Sequence, residues 1–236
     1  MKERISIFLV IIIFCSSVFV TMKKTEENIR SVISIQASDY SDKLIILDAG
    51  HGGEDGGAVA FDGTVEKDLN LLFTENIALY FDIFGINYIK VRDSDISVGD
   101  TSLGTIRERK ISDIHTRYSL INSYENSVLL SIHQNMYSVE KYSGTQVFYS
   151  SELSDSEIIA GIIQRRIHTG LQPENTRKIK ESDKSIYLLY NAQRPSVMVE
   201  CGFLSNINEL SLLNTHEYRS QFSYFLTQSI IEYLIT

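Results

Sequence analysis

The sequence predicts an α/β fold, a mainly parallel sheet covered by helices on both faces. Three observations predict it. The aliphatic runs at residues 44–47, 127–132 and 196–199 lack polar alternation, as strands buried on both faces do. Stretches with apolar residues at helical spacing lie between them, so strands alternate with helices. Each run then breaks into a glycine-rich or polar loop, and in open α/β sheets that carboxyl rim is where ligands bind.

The chain of 236 residues has room for one sizeable domain and a short appendage. Its 43% hydrophobic and 22% charged content is that of a globular chain. A net charge of -8 excludes the basic footprint that nucleic acid requires. The two cysteines, Cys15 in an apolar run and Cys201 in an expected buried strand, do not make a disulfide framework. There are no internal repeats, which wall- and surface-binding modules usually carry.

Residues 1–25 read as a membrane anchor or signal segment, 26–41 as a polar linker and 42–236 as the folded domain. Lys2 and Arg4 precede an uncharged run from Ile5 to Met22, closed by Lys23 and Lys24. At roughly 1.5 Å per residue the run is about 27 Å long as a helix, close to the thickness of a bilayer core. No small-x-small cleavage site closes it, so an uncleaved anchor is favoured over a cleaved signal peptide. Either reading places the domain at the outer face of the cytoplasmic membrane.

The first strand ends in Asp48-Ala49-Gly50-His51-Gly52-Gly53, a tight loop. Leu69, Phe73, Ile77, Tyr80 and Phe84 then form one helical stripe, ended by Gly85, with Glu66 in its first turn. Residues 88–92 form a short strand. A polar loop to Thr105 leads to a helix bearing Ile111, Ile114, Tyr118 and Ile121. Arg107, Arg109, Lys110 and Arg117 on this helix read as a solvated, ion-paired face, with a substrate-carboxylate contact as the alternative. The strand at 127–132 delivers His133. A strand at 144–149 and a helix over 151–171 follow, then a loop. Pro195 introduces the last clear strand, which Glu200 ends, and a closing helix runs from about His216 to Leu234.

His51, His133 and Glu200 thus stand at the carboxyl ends of three buried strands, which parallel neighbours would bring to one rim. Glu66 opens the helix leaving the first loop. Two imidazoles and two carboxylates suit a divalent metal: zinc takes three such ligands plus water in catalytic sites, leaving the fourth group to move a proton. Spacing does not say which carboxylate is ligand and which is base, nor does it exclude Asp48, Glu54 or Asp55. No His-Glu-x-x-His helix is present. His115, His168 and His216 read as surface residues.

The Asp48–Gly53 motif, Gly56-Gly57-Ala58, Gly63 with Glu66, Ser131-Ile132-His133-Gln134-Asn135 and Glu200-Cys201-Gly202-Phe203-Leu204-Ser205-Asn206 together resemble the type 3 N-acetylmuramoyl-L-alanine amidases. The resemblance covers residues 44–234. Ala49, where proline is frequent, and Gln134 after the histidine depart from the family pattern at no functional position. The resemblance implies Zn2+ held by His51, Glu66 and His133, and Glu200 as the catalytic acid/base. It implies peptidoglycan as substrate, cut at the amide between N-acetylmuramic acid and L-alanine. The combination of membrane segment and bare catalytic domain is similar to the cortex amidases of endospore formers, which implies a role in spore cortex maturation in the forespore intermembrane space. Some family members carry an extra helix that occludes the site. Residues 150–185 are expected to hold one ordinary helix and a loop, so regulation would come from metal loading or a partner protein.

Three other readings fit less of the sequence. A nucleotide-binding module fails because no Gly-Lys-Ser/Thr follows the loop. A non-catalytic peptidoglycan-binding protein would be expected to have lost one of the four site residues. A zinc peptidase acting on stem peptides is the third.

Overall fold

Four consecutive aliphatic residues leave β1 (Leu44–Ala49) no polar face, and Ile45, Ile46, Leu47 and Ala49 are wholly buried. The structure, a computed structural model, describes residues 23–24 and 43–236, and every element below lies in the unit Tyr40–Thr236. The expected membrane segment and linker lie outside the described residues, apart from Lys23 and Lys24. Among the described residues no helix is long and apolar enough to cross a membrane.

After β1 come α1 (Glu66–Phe84), β2 (Tyr88–Lys90), α2 (Ile106–Asn122), β3 (Ser127–Asn135) and β4 (Gln146–Tyr149). Then follow α3 (Ser154–Gly170), β5 (Lys180–Glu181), α4 (Tyr187–Tyr190), β6 (Ser196–Phe203), α5 (Ile207–Leu213) and α6 (His216–Leu234). The sheet order is β2-β1-β3-β6-β4-β5. β1 is parallel to β2 and β3, and β3 is parallel to β6. β4 runs antiparallel to β6, because the short link at 136–145 has no crossover helix to turn the chain round.

Strand parity sorts the side chains into two layers. Ile45, Leu47, Val128, Leu130, Val197 and Val199 face α1, α3 and α6 in the larger core. Ile46, Leu129 and Met198 face α2 and α4 in the smaller one, with Ile121, Leu188 and Leu189. Helices therefore cover both faces, as the sequence predicts. Parity also sends Asp48, Ser131, His133 and Glu200 to the α2 side. There the strand layer becomes polar at its carboxyl end.

Local details differ from expectation. The buried stripe of α1 continues through Phe81 in place of Tyr80, which is half-buried and bonds Ser220 instead. Ile111 is exposed, while Arg117 is buried. Arg117 sits three residues after Ile114 and four before Ile121, so it shares their face toward the sheet. Residues 150–185 contain α3, a loop and β5, and no second helix among the described residues.

Candidate active site

Backbone geometry at the end of β1 is set by the site. A Cβ on Gly50 would stand 2.1 Å from His133 Nε2, so only glycine lets the imidazole lie over the chain. His51 follows with φ of 63°, a left-handed conformation that costs a non-glycine residue about 1 kcal/mol. Two buried arginines hold this turn. Arg117 Nη2 donates to the His51 carbonyl at 2.6 Å and Nη1 to that of Ala49 at 3.0 Å. Arg92 Nε donates to Ala49 O at 2.9 Å and Nη2 to Gly50 O at 3.1 Å. Arg117 is itself fixed by Asp48, which also accepts from Ser131 at 2.8 Å, and by Asp113 at 2.6 Å.

The loop from Gly52 doubles back to start α1 beside His51. Glu66 N–H donates to Ala58 O, and Ala58 N–H donates to Glu66 Oε2, each at 2.9 Å. Glu66 Oε1 then lies 2.9 Å from His133 Nδ1 and 3.2 Å from His51 Nε2. One ligand-type atom from each of His51, Glu66 and His133 falls within 4.8 Å of the others, a donor set that could hold a divalent metal. Asn70, one turn along α1, donates to Gly50 O at 3.1 Å and ties helix to loop.

Glu200 is the register partner of His133 on the neighbouring strand. Its Oε2 is enclosed and has no hydrogen-bond partner among the described residues. Burial pushes its carboxyl up to about 7; His133 and His51 oppose the shift and the Glu66 charge adds to it. Burial also works against ionised Glu66, yet the two imidazoles beside it hold its carboxyl well below the usual range. Burial disfavours protonated His51, but Asp55 and Glu66 outweigh it and raise the imidazole to about 9. Two carboxylates of one site are thus driven in opposite directions, the pattern that separates a charge holder from a proton carrier.

The four residues singled out from sequence meet at one rim. The three open alternatives are engaged elsewhere: Asp48 with Arg117, Glu54 with Arg109 at 2.8 Å, and Asp55 with His51 Nδ1 at 2.9 Å and Lys110 at 2.7 Å. Asp55 therefore orients His51, as carboxylates behind metal-binding imidazoles do. His115 and His216 are exposed, and His168 is half-buried against Asn175 O at 2.9 Å. Arg117 corrects the expectation of a solvated face, since it is a buried pillar under the His51 turn. Arg92 and Asn70 were not singled out from sequence. Arg92 lies two residues beyond β2, next to the first loop, and Asn70 follows Glu66 by one helical turn. Those positions were the available signal.

A helix-covered sheet carrying a His-Glu-His cluster and an adjacent half-buried carboxylate on its carboxyl rim is the arrangement of a hydrolase with room for a metal. A family profile described as N-acetylmuramoyl-L-alanine amidase matches residues 45–232, and the chain belongs to this family of peptidoglycan hydrolases. It is 35% identical to the germination-specific N-acetylmuramoyl-L-alanine amidase of Bacillus subtilis (strain 168), across 82% of this chain and 80% of that protein. It is 34% identical to the CwlD amidase from Clostridioides difficile, solved in complex with the GerS lipoprotein. That match has a TM-score of 0.77 and covers 82% of this chain and 98% of that one. An N-acetylmuramoyl-L-alanine amidase structure from Clostridium difficile 630 is 25% identical with a TM-score of 0.67, across 81% and 96% of the two chains.

Proposed function

We propose that this chain is a zinc-dependent N-acetylmuramoyl-L-alanine amidase of the spore cortex, in which His51, Glu66 and His133 hold the metal and Glu200 is the acid/base. The observation that carries the reading is Glu200: an enclosed carboxyl at about 7, in register with His133 beside the His-Glu-His cluster. The donor set fits zinc, being two imidazoles and one carboxylate with an orienting carboxylate behind the first imidazole. Zinc bound there would supply Lewis-acid polarisation of the scissile carbonyl and a more acidic water.

The protein's part is to place and move protons. Glu200 accepts a proton from the attacking water and returns it to the leaving alanine nitrogen. A pKa near neutrality suits both steps, since the group must give up what it takes. Glu66 stays ionised throughout. The His51 turn, clamped by Arg117 and Arg92, keeps the imidazole aimed at the cluster.

The cortex role draws on the two relatives named above, one germination-specific and one solved with a lipoprotein. The second also supports a regulatory protein partner for this chain. Placement at the outer face of the cytoplasmic membrane, including the forespore intermembrane space, draws on the apolar run from Ile5 to Met22. The test is mass spectrometry of peptidoglycan digested by the full chain with and without zinc. Free L-alanine amino termini should appear only with zinc. Glu200→Gln should keep zinc and lose at least about 100-fold in rate. Glu66→Gln should lose zinc along with activity. The reverse result would exchange the two roles, and cleavage within the stem peptide would decide for a peptidase.

A further inference from the structure

The cavity beside the two histidines contains a cation whose donors are not used up by the fold. It encloses about 280 Å³, and its lining includes His51, His133, Lys110, Arg117, Tyr187 and Met198. Arg117 is committed: Nε donates to Asp113, Nη1 to Asp48 and Ala49 O, and Nη2 to His51 O. Arg109, two turns earlier on α2, is taken up by Glu54 and Leu103 O. Lys110 differs. Its side chain is 51% exposed, and its ammonium makes a single ion pair, to Asp55 Oδ1 at 2.7 Å. An ammonium has three donors, so this contact leaves two for a ligand.

The position of Lys110 is as telling as its spare donors. The other oxygen of Asp55 lies 2.9 Å from His51 Nδ1, so the Lys110 ammonium stands two hydrogen bonds from an imidazole of the site. The substrate offers an anion close to the scissile bond. In a peptidoglycan stem L-alanine is followed by D-glutamate, which continues the chain through its γ-carboxyl and leaves the α-carboxylate free. Five covalent bonds separate that carboxylate carbon from the leaving nitrogen, and with consecutive Cα atoms about 3.8 Å apart the span is roughly 6 Å.

We propose that Lys110 is a specificity-determining residue whose ammonium binds the free α-carboxylate of the second stem residue, on the leaving-amine side of the scissile bond. The inference rests on the amidase reading of the site. It gives the cavity a polarity, with the stem peptide passing over α2 at Lys110. It also gives the enzyme a preference between stems whose second residue is acidic and stems in which that carboxylate is an amide. Losing the charge on the substrate removes a charge-assisted hydrogen bond and leaves the ammonium with Asp55 alone.

The zinc-loaded full chain is assayed on N-acetylmuramoyl-L-alanyl-D-glutamate and on its α-amide. The wild type should favour the acid by about tenfold, chiefly in KM, the scale of one partly exposed charged contact. Lys110→Met should bring the ratio close to one, and Lys110→Arg should restore most of it. Calorimetric binding of the product dipeptide and its amide should show the same ratio. A ratio unchanged in Lys110→Met, with both substrates affected alike, would make Lys110 a mere counter-ion of Asp55 and overturn the proposal. A wild type indifferent to amidation overturns it without any variant. If the wild type releases no alanine terminus from either substrate, the amidase reading falls, and this inference falls with it.

Discussion

Glu200 carries a cost that can be read in the stability of the molecule. Its folded pKa is raised from 4.5 to about 7 by burial, so the native state holds a proton that the unfolded chain releases. For a carboxyl shifted this way, stability falls as pH rises from about 4.5 through 7. Denaturant titration of chelator-treated protein should show that decline, and Glu200→Gln should remove most of it. At pH 8 the variant should be the more stable by roughly 3 kcal/mol, as a shift of this size implies. A residue selected for catalysis gives this signature; a structural carboxylate would lose stability on replacement. Gly57 is the opposite case, a residue whose value is what it lacks. Its φ is 67°, and a Cβ there would stand 2.5 Å from Glu66 Oε2 and 2.7 Å from His51 Cδ2. Gly57→Ala should therefore weaken zinc retention against a competing chelator by at least about tenfold, on the order of 1.4 kcal/mol, while the circular dichroism spectrum stays that of a folded protein.

At the scale of elements, α2 does more than cover a sheet face. Through Arg117 it reaches under β1 to Asp48 and to the carbonyls of Ala49 and His51. Removing one member of such a buried pair leaves the other uncompensated, a loss of about 3–5 kcal/mol. Arg117→Met should show it in denaturant unfolding. Arg117→Met combined with Asp48→Asn should recover part of the loss, because the stranded charge goes with its partner. The elements were legible in the sequence wherever one period dominated. β1, β3 and β6 are continuous aliphatic runs, and α6 was located to within a residue. α5 escaped notice because a seven-residue helix holds less than one full repeat of a stripe, although Asn206 caps it by accepting from Asn208 and Glu209 N–H groups. β5 has only two residues and no pattern of its own. Arg117 was misread because its charge outweighed its position on the apolar face. His51, His133 and Glu200 were legible because each follows a buried aliphatic strand, whereas Glu66, amid polar residues, was legible only as the first-turn carboxylate of the helix leaving the first loop.

The whole molecule couples its site to its folding through protons and metal together. In the metal-free protein His51 is raised from 6.5 to about 9 by Asp55 and Glu66, against the effect of burial. A raised imidazole contributes stability that is fully present below the unfolded value, near 6.5, and is lost as pH rises through about 9. Chelator-treated protein should thus lose further stability over that upper window, beyond the region where Glu200 acts. Zinc requires a neutral imidazole, so at pH 7 its binding must displace the His51 proton. Calorimetric titration in buffers of different ionisation enthalpy should show close to one proton released per zinc at pH 7, falling toward none at pH 10. Zinc affinity should rise over the same interval. The unfolding temperature should rise with free zinc, as for any ligand that binds only the native state. Above pH 9 the zinc-bound and chelated forms should differ most, because the metal then replaces a proton that the free site no longer holds. Proton release that does not change between pH 7 and 10 would mean that His51 is already neutral in the free protein. The neutral imidazole would then carry one N–H and could donate to only one of its two carboxylate neighbours, Asp55 or Glu66.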